Sequence, residues 1–222
     1  MLHGSNIFGI NAKSIFNSCS IYICPMINPD GVDLVTGSIN SLPILQHAKN
    51  ISNSFSQIPF PSGWKANING VDLNLQFPAG WDYAKEIKFS QGYIKPAPRD
   101  FVGFAPLSEP EARSVYNFTL IHNFKLVLTY HSQGKVIYWQ FKDFLPPNSF
   151  EIGLEFSNVS GYSLEETPYN SSFAGYKDWF IQTFNRPGYT IEVGLGKNPL
   201  PLSQFDNIYH DNLGILTLAT IL

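Results

Sequence analysis

The chain is poor in the residues that would place it in several common classes. It has two cysteines among 222 residues, Cys19 and Cys24, too few for a disulfide framework. Cys24 sits in the apolar run Ile21-Tyr22-Ile23-Cys24-Pro25-Met26, which suggests a buried free thiol. Charged residues make up only 14%, and the net charge of −3 offers no basic surface for nucleic acid or an anionic membrane. No apolar run approaches the roughly 20 residues of a membrane span. The start Met1-Leu2-His3-Gly4-Ser5-Asn6 lacks both the basic end and the apolar centre of a secretion signal.

What is present reads as packed and globular. Aromatics reach 15%, and the length suits one good-sized domain, so a single unit over residues 1–222 is expected. Residues 18–27 read as a buried strand closed by a tight turn at Asn28-Pro29-Asp30-Gly31, and 41–57 as a helix. From residue 58 to about 106 the chain is rich in Pro, Gly and aromatics, a loop stretch of the kind that carries function. Ser108-Glu109-Pro110-Glu111 predicts a capping box opening a helix that buries Ala112, Val115, Phe118 and Ile121.

The run Lys125-Leu126-Val127-Leu128-Thr129-Tyr130 predicts a central strand buried on both faces, and it ends on His131-Ser132-Gln133-Gly134. A helix over Tyr176–Phe184, stopped at Asn185-Arg186-Pro187-Gly188, leads into a second strand at 189–193 that contains Glu192. The last 20 residues predict an amphipathic helix with Phe205, Ile208, Tyr209, Leu213 and Leu216 on one face. Alternating strands and helices give an α/β fold with a mixed, mostly parallel sheet flanked by helices.

Open α/β sheets keep their sites at the carboxyl ends of strands, where His131 falls. From position alone it could be a zinc ligand, a general base or a structural residue. A carboxylate inside an apolar strand is costly unless it is paired or faces a wet cavity. Glu192 therefore reads either as a general base or as the partner of Arg186 or Lys177. His122 and His210 fall on helices, where surface or capping roles are commoner. Four Asn-x-Ser/Thr patterns, at Asn50, Asn117, Asn158 and Asn170, are short enough to arise by chance.

Taken together, Asn28-Pro29-Asp30-Gly31, Asp72-Leu73-Asn74, Ser108-Glu109-Pro110-Glu111, Tyr130-His131-Ser132-Gln133, Asp178-Trp179 and Thr190-Ile191-Glu192 resemble the zinc carboxypeptidase family in identity and order. Val32-Asp33-Leu34-Val35-Thr36-Gly37 and Gly63-Trp64-Lys65-Ala66-Asn67-Ile68 are similar to its bacterial branch of γ-D-glutamyl-diamino acid peptidases, which act on cell-wall stem peptides. The resemblance implies a zinc-dependent peptide hydrolase with Zn2+ as cofactor and a stem peptide as substrate. His131 would be a metal ligand, Glu192 the catalytic glutamate, and Tyr169 the tyrosine that closes over substrate, with Tyr176 and Tyr162 as alternatives.

Lys65 falls where the family carries a carbonyl-polarising arginine; a lysine supplies the charge without the bidentate fork. Asn74 matches half of an Asn-Arg pair that grips a terminal carboxylate, and the other half is Leu75 here, which argues against ordinary C-terminal trimming. Lys177 falls at the base of the pocket for the residue after the cut, where a cation would favour a side chain bearing a carboxylate. The family's other two zinc ligands come from a His-x-x-Glu motif upstream of the Asn-Pro-Asp-Gly turn, and the 27 residues before Asn28 contain none. The expectation is a domain incomplete at its N-terminus and lacking the first strands of its sheet. Two rival readings follow, an inactive fragment and a peptide-binding module without metal.

Overall fold

The computed structural model describes residues 6, 7 and 9–222. His3 therefore lies outside the described residues. A two-stranded antiparallel ribbon, β1 (Asn6–Ile7) and β2 (Ile10–Asn11), precedes α1 (Ala12–Ser18), α2 (Pro29–Thr36) and α3 (Leu42–Ser52). Next come α4 (Trp81–Ser90), α5 (Pro110–Ile121), β3 (Val127–His131), β4 (Val136–Tyr138), α6 (Ser149–Ser160) and β5 (Ser163–Glu165). The chain ends with α7 (Tyr176–Phe184), β6 (Gly188–Glu192) and α8 (Phe205–Leu218). Short 3-10 turns at Leu73–Leu75, Tyr169–Ser171 and Leu202–Gln204 link them.

The second sheet runs in the order β3-β6-β4-β5. The β3/β6 and β4/β5 pairs are parallel and β4/β6 is antiparallel, so the sheet is mixed and mostly parallel, as expected. Side chains alternate between faces along a strand. Tyr189 and Ile191 of β6 point to one face, into a core with Ile137 of β4, Phe156 of α6, Ile215 of α8 and Tyr162 just before β5. Gly188, Thr190 and Glu192 point to the other. There α7 lies so close that a Cβ on Gly188 would sit 3.3 Å from both Ile181 and Lys177. On that side Trp179 and Ile181 join Phe77, Trp81, Val102 and Phe141 in a second core.

Several local expectations are corrected. Residues 19–28 form no strand, and Ile21, Tyr22, Ile23 and Met26 are exposed. A strand needs a neighbour for its backbone groups, and no described strand lies beside this segment. Tyr22 instead packs edge-on against Phe118, His122 and Phe124. Cys24 is exposed, and both thiols are free. Asn28-Pro29-Asp30-Gly31 opens α2 rather than forming a tight turn that closes a strand: the Asn28 Oδ1 accepts from Gly31 N–H at 3.1 Å, and Pro29 takes the first helical position. A Cβ on Gly31 would lie 2.6 Å from the Ala66 carbonyl, so only glycine fits there.

The long Pro-rich stretch contains α4, built on buried Trp81 and Ala84. α5 has no capping box: its N-cap, Glu109, makes no capping bond, because its carboxylate instead accepts from Asn67, Asn69 and Ser108. Ala112 is buried as expected, whereas Phe118 and Ile121 are exposed. β3 has a single neighbour among the described strands and is only partly buried, because it forms a margin of this sheet and not its centre. α8 buries Asn212, Ile215 and Thr217 and leaves Phe205, Tyr209 and Leu216 exposed, since α6 meets its other face. α7 has the expected bounds, ended by Asn185 in the left-handed region (φ 49°).

Candidate active site

Three residues of β3 and three of β6 share one sheet face. The parallel register sets Val127 opposite Gly188, Thr129 opposite Thr190 and His131 opposite Glu192, and the two threonine hydroxyls meet at 3.0 Å. Helix α7 covers the first of these rungs. The last, His131 with Glu192, stands at the carboxyl ends of both strands. The loops that follow are tied together: Val193 N–H donates to the His131 carbonyl (2.8 Å), Gly134 N–H to the Gly194 carbonyl (2.9 Å), and Ser132 and Asn198 exchange two hydrogen bonds.

The environment sets the charge on each group. Burial pushes the His131 imidazole down to about 4; Lys65 and Lys177 push the same way and Asp72 opposes them. At neutral pH the ring is uncharged, with a nitrogen lone pair free for a ligand or proton. Burial raises the pKa of Glu192, and Lys65 draws it down in part. Neither Arg186 nor Lys177 pairs with Glu192: Arg186 donates to Asn123 and to the Phe124 carbonyl, and Lys177 to groups of its own side. Among the described residues Glu192 has no ion pair.

Lys65 is anchored at both ends. Its backbone N–H and that of Ala66 both donate to the Pro98 carbonyl (2.8 and 2.9 Å), and its ammonium pairs with Asp72 at 2.9 Å. Asn74 lies on the turn that Asp72 caps, its N–H 3.2 Å from Asp72 Oδ1 and its side chain beside Gly175 at the start of α7. Lys177 is only 4% exposed: its ammonium donates to the Gln140 carbonyl (2.6 Å) and Thr167 Oγ1 (3.2 Å) and lies 2.8 Å from Asp178. Tyr169 is 67% exposed on its 3-10 turn, edge-on to Phe173. Tyr162 is buried on Asn212, and Tyr176 bonds Thr119 and packs on Phe77 and Trp179. Of the three tyrosines Tyr169 is the most exposed.

The fold sets His131 opposite Glu192 and puts the Lys65 charge within influence of both, Asn74 lies on the turn that Asp72 caps, Lys177 is buried under α7's start, and Tyr169 is on a separate turn. Asp72 is the residue that sequence reasoning passed over. Its place in Asp72-Leu73-Asn74 fits a turn cap, and nothing in that pattern signals that it also holds Lys65.

Zinc requires three protein ligands and a water. Among the described residues no three His, Cys, Asp or Glu side chains lie together, and none of the five histidines in the chain is followed three positions later by Glu. The described residues therefore supply at most His131 to such a site and do not by themselves make a complete one.

The profile described as zinc carboxypeptidase matches residues 9–214. A protein named gamma-D-glutamyl-L-diamino acid endopeptidase 1, from Lysinibacillus sphaericus, is 48% identical over 213 residues, which are 95% of this chain and 51% of that protein. The uncharacterized protein YqgT of Bacillus subtilis (strain 168) is 39% identical over 216 residues, 97% of this chain and 56% of that one. The chain thus spans about half the length of the curated relatives it matches. Among solved structures, a murein-tripeptide amidase from Escherichia coli O157 superposes with a TM-score of 0.53 at 20% identity, covering 87% of this chain and 65% of the other, which is a likeness of fold.

Proposed function

Because this chain belongs to the zinc carboxypeptidase family, we propose that it forms part of a metallopeptidase that hydrolyses γ-D-glutamyl-diamino acid bonds in peptidoglycan stem peptides. The observation that carries this reading is the pairing of an uncharged histidine and an unpaired glutamate at the carboxyl ends of two parallel strands. Glu192 would take a proton from the attacking water and pass it to the leaving amine as the C–N bond breaks. Lys65 would polarise the scissile carbonyl, Asn74 would orient the peptide, and Tyr169 would close over it. The relative from Lysinibacillus sphaericus, named for this bond, supports the choice of substrate.

Among the described residues His131 has no companions to complete a zinc site. That same observation favours a second reading, in which the chain binds stem peptides without metal. Leu75 stands where the family carries an arginine, so the residue after Asn74 brings no guanidinium, which fits a substrate cut within the peptide better than one gripped by its terminal carboxylate. Lys177 would meet a diaminopimelate carboxylate only by exchanging one of its present partners.

The test is incubation of the purified chain with L-alanyl-γ-D-glutamyl-diaminopimelate, with and without added Zn2+ and with chelator. Release of the diamino acid that chelator abolishes supports the hydrolase. Binding that chelator leaves unchanged, with no release, supports the second reading. Neither binding nor release would refute both.

A further inference from the structure

We infer, on the functional reading above, that Thr167 is a positioning residue for Tyr169: its hydroxyl ties the turn that carries the tyrosine to Lys177, and a carboxylate arriving at Lys177 releases that tie. An ammonium has three hydrogens, and that of Lys177 has three partners. It donates to the Gln140 carbonyl (2.6 Å) and to Thr167 Oγ1 (3.2 Å), and it stands 2.8 Å from the Asp178 carboxylate. The side chain is almost fully buried, so a substrate carboxylate reaches it only by displacing one of the three. They are not equally replaceable. Asp178 carries the countercharge and is itself buried, so parting from it would leave two charges uncompensated. Gln140 holds the shortest contact. Thr167 offers a neutral hydroxyl at the longest distance, from a half-buried residue, and a freed hydroxyl can turn to another partner. A carboxylate in its place makes a stronger, charge-assisted bond.

Thr167 also opens the turn that carries Tyr169. The Ser172 hydroxyl reaches back to the carbonyls of Thr167 (2.9 Å) and Pro168 (2.7 Å), and the N–H groups of Ser171 and Ser172 donate to the Pro168 and Tyr169 carbonyls (2.8 and 3.1 Å). Residues 167–172 are thereby closed on themselves. Among the described residues, the Thr167 hydroxyl makes the only hydrogen bond by which this turn reaches another part of the chain. The far end is fixed by packing instead: Phe173 is buried, and a Cβ on Gly80 would sit 2.7 Å from its ring. Tyr169 stands edge-on to that ring at 5.2 Å. Releasing Thr167 therefore frees the near end of the turn and leaves Phe173 as the pivot. A diamino acid with a second carboxylate triggers the release, and lysine, which brings no anion, leaves the tie closed.

The experiment follows the turn by NMR, through the amides of Ser171 and Ser172 and the ring of Tyr169, in the unaltered chain, Thr167→Val and Thr167→Ser. Without ligand, the two amides should exchange about tenfold faster in Thr167→Val, as loss of one hydrogen bond to a charged group implies, and at the unaltered rate in Thr167→Ser. Equal rates in all three proteins would overturn the proposal. L-Alanyl-γ-D-glutamyl-diaminopimelate added to the unaltered chain should shift the signals of both amides and of the Tyr169 ring, whereas the tripeptide ending in lysine should leave them in place at equal occupancy. A diaminopimelate tripeptide that binds without moving these signals would also overturn it, and this comparison needs no altered protein. In Thr167→Val the two tripeptides should give the same turn signals; a difference that survives there counts against the tie. If neither tripeptide binds the unaltered chain, the functional reading fails, while the ligand-free comparison still decides whether Thr167 holds the turn.

Discussion

His131 and Glu192 occupy opposed positions on β3 and β6, the last rung of a parallel ladder whose side chains share one face. Sixty-one residues separate them in the chain. Parallel pairing brings them together because both strands end at the same level, and the tied loops after them keep the ends from fraying.

Glu192→Gln should abolish any turnover, lowering it by at least about a hundredfold as expected for removal of a general base. The same change should stabilise the fold at neutral pH. A carboxyl whose pKa is raised in the folded state contributes its stability while protonated and loses it as pH rises, so the ionised Glu192 is a cost that glutamine removes. Thermal melting at pH 7 and at pH 4 checks this: the gain should appear at pH 7 and shrink at pH 4.

His131 has the opposite sign. Its folded pKa of about 4 lies below its ordinary value of 6.5, so its contribution is present above pH 6.5 and is lost as pH falls towards 4. The unaltered chain should therefore lose more stability than His131→Asn across that window, by at most about 3 kcal/mol. Urea unfolding of both proteins at pH 7 and pH 4 measures the difference, and equal losses would contradict it.

Lys177→Met should destabilise the chain by about 3 kcal/mol or more, because it leaves the Asp178 carboxylate buried without its cation. If Lys177 also reads the substrate, Lys177→Met, which keeps most of the buried side-chain volume, should at a temperature where it stays folded lose turnover of diaminopimelate peptides far more than of lysine peptides. Equal losses would confine Lys177 to holding α7 against Gln140 and Thr167.

Purified chain dialysed against buffer containing Zn2+ should retain well under one zinc per molecule, since a single histidine binds the ion weakly. Metal analysis decides this. A value near one would show that side chains besides His131 complete the site.

The strands that carry the candidate site residues were legible in short motifs: the β-branched and aromatic run ending at Tyr130-His131 gives way to polar Ser132-Gln133, and the run through Ile191 stops short of Gly194. The bounds of α7 follow from Asn185-Arg186-Pro187-Gly188, which no helix continues through. Local chemistry misled where a segment's conformation depends on a distant neighbour. Residues 18–27 have the composition of a strand and no described strand to pair with, and α8 buries the face that α6 touches and not the face with more aromatic residues.

The sequence by itself determined the residue types at the site, the order of its elements and the family to which the chain belongs, because these reside in local patterns of side chains. Tertiary structure alone decided what each charge meets. It left Glu192 unpaired, sealed Lys177 beneath Gln140 and Thr167, and drew Lys65 onto Asp72. The reason is physical: a side chain's partner is whatever the fold sets within a few ångströms, and residues far apart in the chain are the ones that fold brings there.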